Sequence, residues 1–164
     1  MLPKGGEFMS AFWLHVCENG HDKLDRYGFV KSEFCEICGA SVLEKCPTCN
    51  NFIMHVDYGM PTVGTPDYTR PLFCKHCGKP YPWTAAIIEA ATMALEDDDI
   101  LTDEEKSKAI ATIPDLIVDN PKTTAAANRM KKILSGAGNV TKDVFTKVVS
   151  SVLTDVAKEL MGLQ

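Results

Sequence analysis

Apolar and polar positions follow two different patterns along the chain, and the change falls near Trp83. Before it the apolar runs are short. Ala11–Val16 and Phe52–Tyr58 carry aromatic and β-branched residues and read as strands. Between Gly59 and Pro71 the prolines at 61, 66 and 71, with Gly64, read as an extended excursion between strands. After Trp83 the pattern becomes helical and predicts about four helices. The first, Thr84 to about Glu96, is apolar almost all round and is expected at the centre of the core. Thr102 with Glu105 forms a capping box for the second, which Pro114 should stop. Asn120-Pro121 reads as the cap and first residue of the third, ending at Gly136. The last is expected to run unbroken from Thr141 to Gly162, its apolar stripe passing through Val144, Phe145, Val148, Val149, Val152, Leu153, Val156 and Leu160.

These patterns predict an α+β chain: a small double zinc ribbon of short antiparallel strands over residues 9–83, then a helical bundle over residues 84–164. Residues 1–8 fit poorly with the rest of the chain and are expected to be vector-derived or disordered. The chain has 164 residues and a 45% hydrophobic fraction, ordinary for globular protein. A formal net charge of −5 argues against broad nucleic-acid capture, which draws on surplus Lys and Arg. No run approaches the roughly 20 apolar residues of a membrane span, and no secretory signal is visible, so a cytoplasmic setting is expected.

The seven cysteines carry the chemistry. In a reducing compartment thiols coordinate metal more often than they pair as disulfides, and an odd number would leave one over. Three Cys-x-x-Cys pairs occur, Cys35/Cys38, Cys46/Cys49 and Cys74/Cys77, while Cys17 has His21 four positions on. Eight candidate ligands match two tetrahedral sites, hence two structural Zn²⁺ ions. Gly39 and Gly78 come directly after their pairs and ease the bend, and Pro47 pre-sets a turn. Grouping neighbours gives Cys17, His21, Cys35 and Cys38, then Cys46, Cys49, Cys74 and Cys77; this closes the shorter loops. A cross-brace, as in a RING-like ligase component, is the rival arrangement. His15 competes with His21 for the fourth place at the first site.

No catalytic grouping stands out. His-Glu-x-x-His and the deaminase signature are absent, and eight ligands would leave neither zinc an open position, so a non-enzymatic protein is expected. The leading expectation is an interaction or adaptor protein that binds another protein. Nucleic-acid binding is the alternative, through Arg70, Lys75 and Lys79 beside Tyr68, Phe73, Tyr81 and Trp83. The charge up to Trp83 disfavours it: eight basic side chains face nine acidic ones, before zinc and thiolates add their own negative excess. Redox sensing through zinc release is a further alternative.

Taken together, Val16-Cys17-Glu18-Asn19-Gly20-His21, the stretch Cys74-Lys75-His76-Cys77-Gly78-Lys79-Pro80 running into Pro82-Trp83-Thr84, and Asn120-Pro121-Lys122-Thr123 leading to Asn128-Arg129-Met130-Lys131-Lys132 resemble an uncharacterised bacterial family. That family joins a double zinc ribbon to a helical C-terminal domain. The resemblance implies the architecture and a bacterial cytoplasmic setting, and no activity.

Overall fold

In a computed structural model, residues 10–25, 32–53, 55–58 and 68–163 are described. The octamer 1–8 and most of the proline-punctuated excursion lie outside them. The chain divides into two compact units, Met1–Thr84 and Ala85–Gln164.

In the first unit, β1 (Ser10–Cys17) is the hub of an antiparallel sheet. It pairs with β2 (Asp22–Asp25), β3 (Val42–Leu43) and β4 (His55–Tyr58). Leu14 and Val16 alternate with His15, and both apolar side chains are buried, as period-two burial requires. They pack with Ile53, Tyr81, Trp83 and the sulfur-bearing Cys46 and Cys74. The second expected strand is shorter than the sequence suggests. Phe52 bridges Lys45 to close the middle Cys-x-x-Cys hairpin, and strand pairing with β1 starts at His55.

Among the described residues five helices come next rather than four: α1 (Pro82–Glu96), α2 (Asp103–Leu116), α3 (Thr123–Gly136), α4 (Asn139–Val149) and α5 (Asp155–Met161). The expected single last helix breaks at Ser150–Thr154. Thr154 caps α5 through the Ala157 N–H, and its own N–H donates to the Leu116 carbonyl. The apolar stripe survives the break because Val152 and Leu153 are buried within the link.

Three further expectations change. Pro114 does not stop α2; it sits exposed in the last turn, and the helix continues to Leu116. Asn120 does not cap α3 directly. Its side chain accepts from the Lys122 N–H and its carbonyl from the Thr123 N–H, a turn that delays the helix to Thr123. And α1 is not the centre of its unit: Ala85, Ala86 and Met93 are exposed. The central helix is α3, packed against both α2 and α5. Its small residues Thr123, Ala126 and Ala127 are buried in line with Met130 and Leu134, at the spacing of one helix face, and allow close approach. The Thr102–Glu105 capping box forms as expected, each residue bonding the other's backbone N–H.

The turn between α1 and α2 is tied to the turn between α3 and α4 by one buried carboxylate. Asp98 accepts from the Ile100 and Leu101 N–H groups with one oxygen and from the Gly138 N–H, at 2.8 Å, with the other. Its acidity is raised well beyond the usual carboxylate range, chiefly by the Thr141 hydroxyl and then by the Leu101 N–H.

Candidate metal centres

Each Cys-x-x-Cys pair is one copy of the same local structure. In the first, the Gly39 N–H donates to the Cys35 carbonyl at 2.8 Å, and the Cys35 N–H donates to the Ala40 carbonyl at 2.8 Å. Asn50 with Cys46 and Gly78 with Cys74 repeat the first bond, each at 2.8 Å. The residue after the second cysteine is left-handed in all three, with φ of 71° at Gly39, 59° at Asn50 and 71° at Gly78. Asparagine tolerates that region better than other side-chain-bearing residues, so the middle pair manages without glycine. Flanking residues close each hairpin: Phe34 with Ser41, Lys45 with Phe52, and Phe73 with Pro80.

Cys17 and His21 form a different turn at the end of β1. The Gly20 N–H donates to the Cys17 carbonyl, and the Cys17 N–H donates to the His21 carbonyl. Gly20 has φ +85°, and a Cβ there would lie 2.9 Å from Trp83 Cβ. Arg70 donates to the Gly20 carbonyl and lies 3.7 Å from Asp22, while the Tyr68 hydroxyl donates to Asp22. This clamp has no sequence signal: Arg70 and Tyr68 lie some fifty residues from the turn they hold, and no local pattern announces it.

The four pairs converge into two clusters, one of Cys17, His21, Cys35 and Cys38, the other of Cys46, Cys49, Cys74 and Cys77, with ligand atoms within 4.8 Å of one another. The grouping is sequential, not cross-braced. His21 joins the first cluster through Nδ1, whereas His15 lies 3.9 Å from Glu44 instead. In the first cluster the Cys17 and Cys38 sulfurs are 3.8 Å apart, and His21 Nδ1 lies 3.5 Å from Cys17, 3.3 Å from Cys38 and 3.7 Å from Cys35. In the second, Cys46 to Cys77 is 3.8 Å and Cys49 to Cys74 is 3.6 Å.

These separations can be tested against coordination geometry. A tetrahedron with Zn–S near 2.3 Å and Zn–N near 2.0 Å has edges of about 3.8 Å between sulfurs and about 3.5 Å between sulfur and nitrogen. The observed edges agree within a few tenths of an ångström, and every one is far longer than a disulfide of about 2.05 Å. The donor set fits a metal ion.

Backbone donors prepare the sulfurs. The Ala40 N–H, with Asn19 and His21, brings the Cys38 thiol down to about 6. The Cys77 and His76 N–H groups, with the Tyr81 hydroxyl, bring Cys74 to about 6. Cys49 is lowered by the Asn51 side chain, whose amide donates to its sulfur at 3.4 Å. The Lys79 N–H draws Cys77 down, but burial and the neighbouring sulfurs of Cys49, Cys74 and Cys46 push it up to about 11. A dication at the centre would ionise all four together. Asn51 sits two residues from the Cys49 it supports, and that adjacency was its signal, whereas Asn19 reaches Cys38 across nineteen residues and had none. The Tyr81 contact was not legible. It arises because Tyr81 and Trp83 are both buried and stacked, with centroids 4.6 Å apart, under the second cluster.

The two clusters differ in shelter. Cys46 and Cys74 are buried, whereas in the first cluster only Cys17 is, and both His21 and Cys38 are exposed.

Short antiparallel hairpins carrying two tetrahedral cysteine-rich clusters, with five helices after them in the chain, define an α+β protein of the double zinc-ribbon type. The chain belongs to an uncharacterised protein family conserved in bacteria, DUF2321, which it matches over residues 12–161. Neither the curated proteins nor the solved structures yield a match to it. Among the described residues no helix is long and apolar enough to cross a membrane.

Proposed function

We propose that the chain is a non-catalytic adaptor in which Cys17, His21, Cys35 and Cys38 hold one structural Zn²⁺ and Cys46, Cys49, Cys74 and Cys77 a second, and that it binds another protein. The observation that carries this reading is the closure of both tetrahedra. Eight side chains supply eight ligands at tetrahedral spacing, so neither ion keeps a position for substrate or water. Nitrogen and sulfur donors in tetrahedral arrangement favour zinc over harder cations.

The surroundings of the second cluster weigh against nucleic acid. A single-strand platform needs exposed rings beside free cations. Tyr81 and Trp83 are each 1% exposed, with the Trp83 N–H donating to the Pro71 carbonyl at 2.9 Å. Arg70 and Tyr68 are spent on the clamp around Gly20 and Asp22. Of the stacking and charged groups considered, Lys75 and Lys79 are left exposed.

Two measurements test the reading. Metal analysis of the full chain purified without chelator should give two zincs, with Cys38→Ser and Cys77→Ser each losing one. Titration with single- and double-stranded oligonucleotides at low and moderate salt should give only weak binding. Submicromolar, salt-sensitive binding would replace the adaptor with a nucleic-acid-binding protein.

A further inference from the structure

Within the helical unit, three exposed apolar side chains meet at one place. Ile100, in the α1–α2 turn, is 66% exposed; Val140 and Val144, one turn apart on α4, are 77% and 41% exposed. Together they line a groove of about 500 Å³, within the range of functional pockets. Gly138 keeps its floor low. A Cβ there would stand 3.7 Å from Ile100 Cδ1 and 3.3 Å from Asp98 Oδ2. Neither wall is loose, since the Asp98 carboxylate ties the α1–α2 turn to the Gly138 N–H.

The groove is flanked by carboxylates. Asp97 and Asp99 line it and are exposed, and neither has an ion-pair partner among the described residues. Asp143 is exposed on α4 between the two valines in sequence. Nearby ammonium groups are directed at backbone carbonyls, Lys106 to Glu96 at 2.7 Å and Lys142 to Ser135 at 3.3 Å.

We propose that this groove docks a basic, amphipathic helical segment of a partner protein. This rests on the adaptor reading and names the surface it would use. The apolar row of Ile100, Val140 and Val144 fits anchors spaced i, i+3 and i+4 on such a helix, and the aspartates fit Lys or Arg beside them. A second copy of this chain is a poorer occupant. It would bring the same carboxylates face to face on a molecule already at −5.

The probe is a labelled Leu/Lys peptide of about 14 residues with leucines on one helical face, titrated by fluorescence anisotropy into the zinc-loaded full chain. Saturable binding is expected, with none for a Leu/Glu peptide or for a scrambled Leu/Lys one. The double variant Val140→Ser/Val144→Ser should weaken it about tenfold or more, roughly the cost of exposing two apolar anchors. Asp97→Asn/Asp99→Asn, which keeps the shape of the groove, should weaken it several-fold and flatten its salt dependence. Absence of saturable binding, or affinity within about twofold of wild type in both variants, would overturn the proposal. So would a dimer, seen by sedimentation, that Val140→Ser/Val144→Ser dissolves. The two readings fail separately. Tight oligonucleotide binding with peptide binding intact removes the adaptor reading, whereas peptide binding unmoved by the variants removes only the groove.

Discussion

Replacing Asp98 should damage the helical unit more than any other single polar substitution in it. Its carboxylate accepts from three backbone N–H groups and is supported by the Thr141 hydroxyl. Hydrogen bonds to an ionised group contribute about 1.5–3 kcal/mol each, and a buried donor left unpaired costs a comparable amount. Ile100 is exposed, so water can replace its bond, whereas Leu101 is 6% exposed and its N–H cannot be rescued so easily. Counting the Leu101 and Gly138 donors alone, Asp98→Ala should lose about 3–5 kcal/mol. Asp98→Asn should lose roughly half of that, because it keeps one accepting oxygen but turns an amide N–H toward Gly138. The sign of the pH effect comes from the lowered pKa. The native state binds fewer protons than the unfolded chain, so the stabilisation is complete above the unfolded value of about 3.9 and drains as pH falls below it. Urea unfolding monitored by far-ultraviolet circular dichroism should therefore show a wide gap between wild type and Asp98→Asn at pH 7. At about pH 3 the gap should narrow. Thiol protonation affects both proteins alike, so the comparison between them at each pH isolates the carboxylate. A gap below about 0.5 kcal/mol at pH 7, or one that widens in acid, would refute the reasoning.

The other expectations are smaller or more local. Gly20→Ala places a Cβ against Trp83 at a left-handed backbone and should cost about 2–3 kcal/mol, read as easier chelator extraction of the first metal with the second retained. Asn50→Gly should leave thermal stability within about 0.5 kcal/mol of wild type, while Asn50→Val at φ 59° should cost about 1–2 kcal/mol. Thr102→Ala, which removes the α2 cap, should cost about 1 kcal/mol by urea denaturation. Trp83→Ala should cost about 3–5 kcal/mol and loosen the second cluster, checked by melting temperature together with zinc content.

The clusters were legible because a Cys-x-x-Cys turn is a local structure. The bond from the residue after the second cysteine back to the first is written within five residues, and one left-handed position decides its shape. The sequential grouping also comes from proximity along the chain. What the sequence concealed lies at longer range. Arg70 and Tyr68 reach back to Gly20 and Asp22, and Asp98 spans forty residues to Gly138. Neither has a periodicity to reveal it. The break between α4 and α5 was hidden for another reason: Val152 and Leu153 continue the apolar stripe although their backbone is not helical, so burial mimicked helical spacing. Pro114 misled because proline gives up the N–H bond to the fourth preceding carbonyl and so reads as a stop, yet α2 carries it in its last turn and runs two residues further.

Because the clusters lie one after the other along the chain, their assembly during synthesis has a direction. Every ligand of the first has been made once Cys38 is added, and the second is incomplete until Cys77. At about 5–20 residues per second, roughly 2–8 s separate these moments on the ribosome. In a cross-braced arrangement the first set would close only at Cys49, and Cys35 and Cys38 would wait for Cys77. Here the earlier thiols can be sequestered by a metal while the later ones are still being translated, which shortens the time they spend free to oxidise or mispair. The exposed first cluster is the one that benefits from the earlier start.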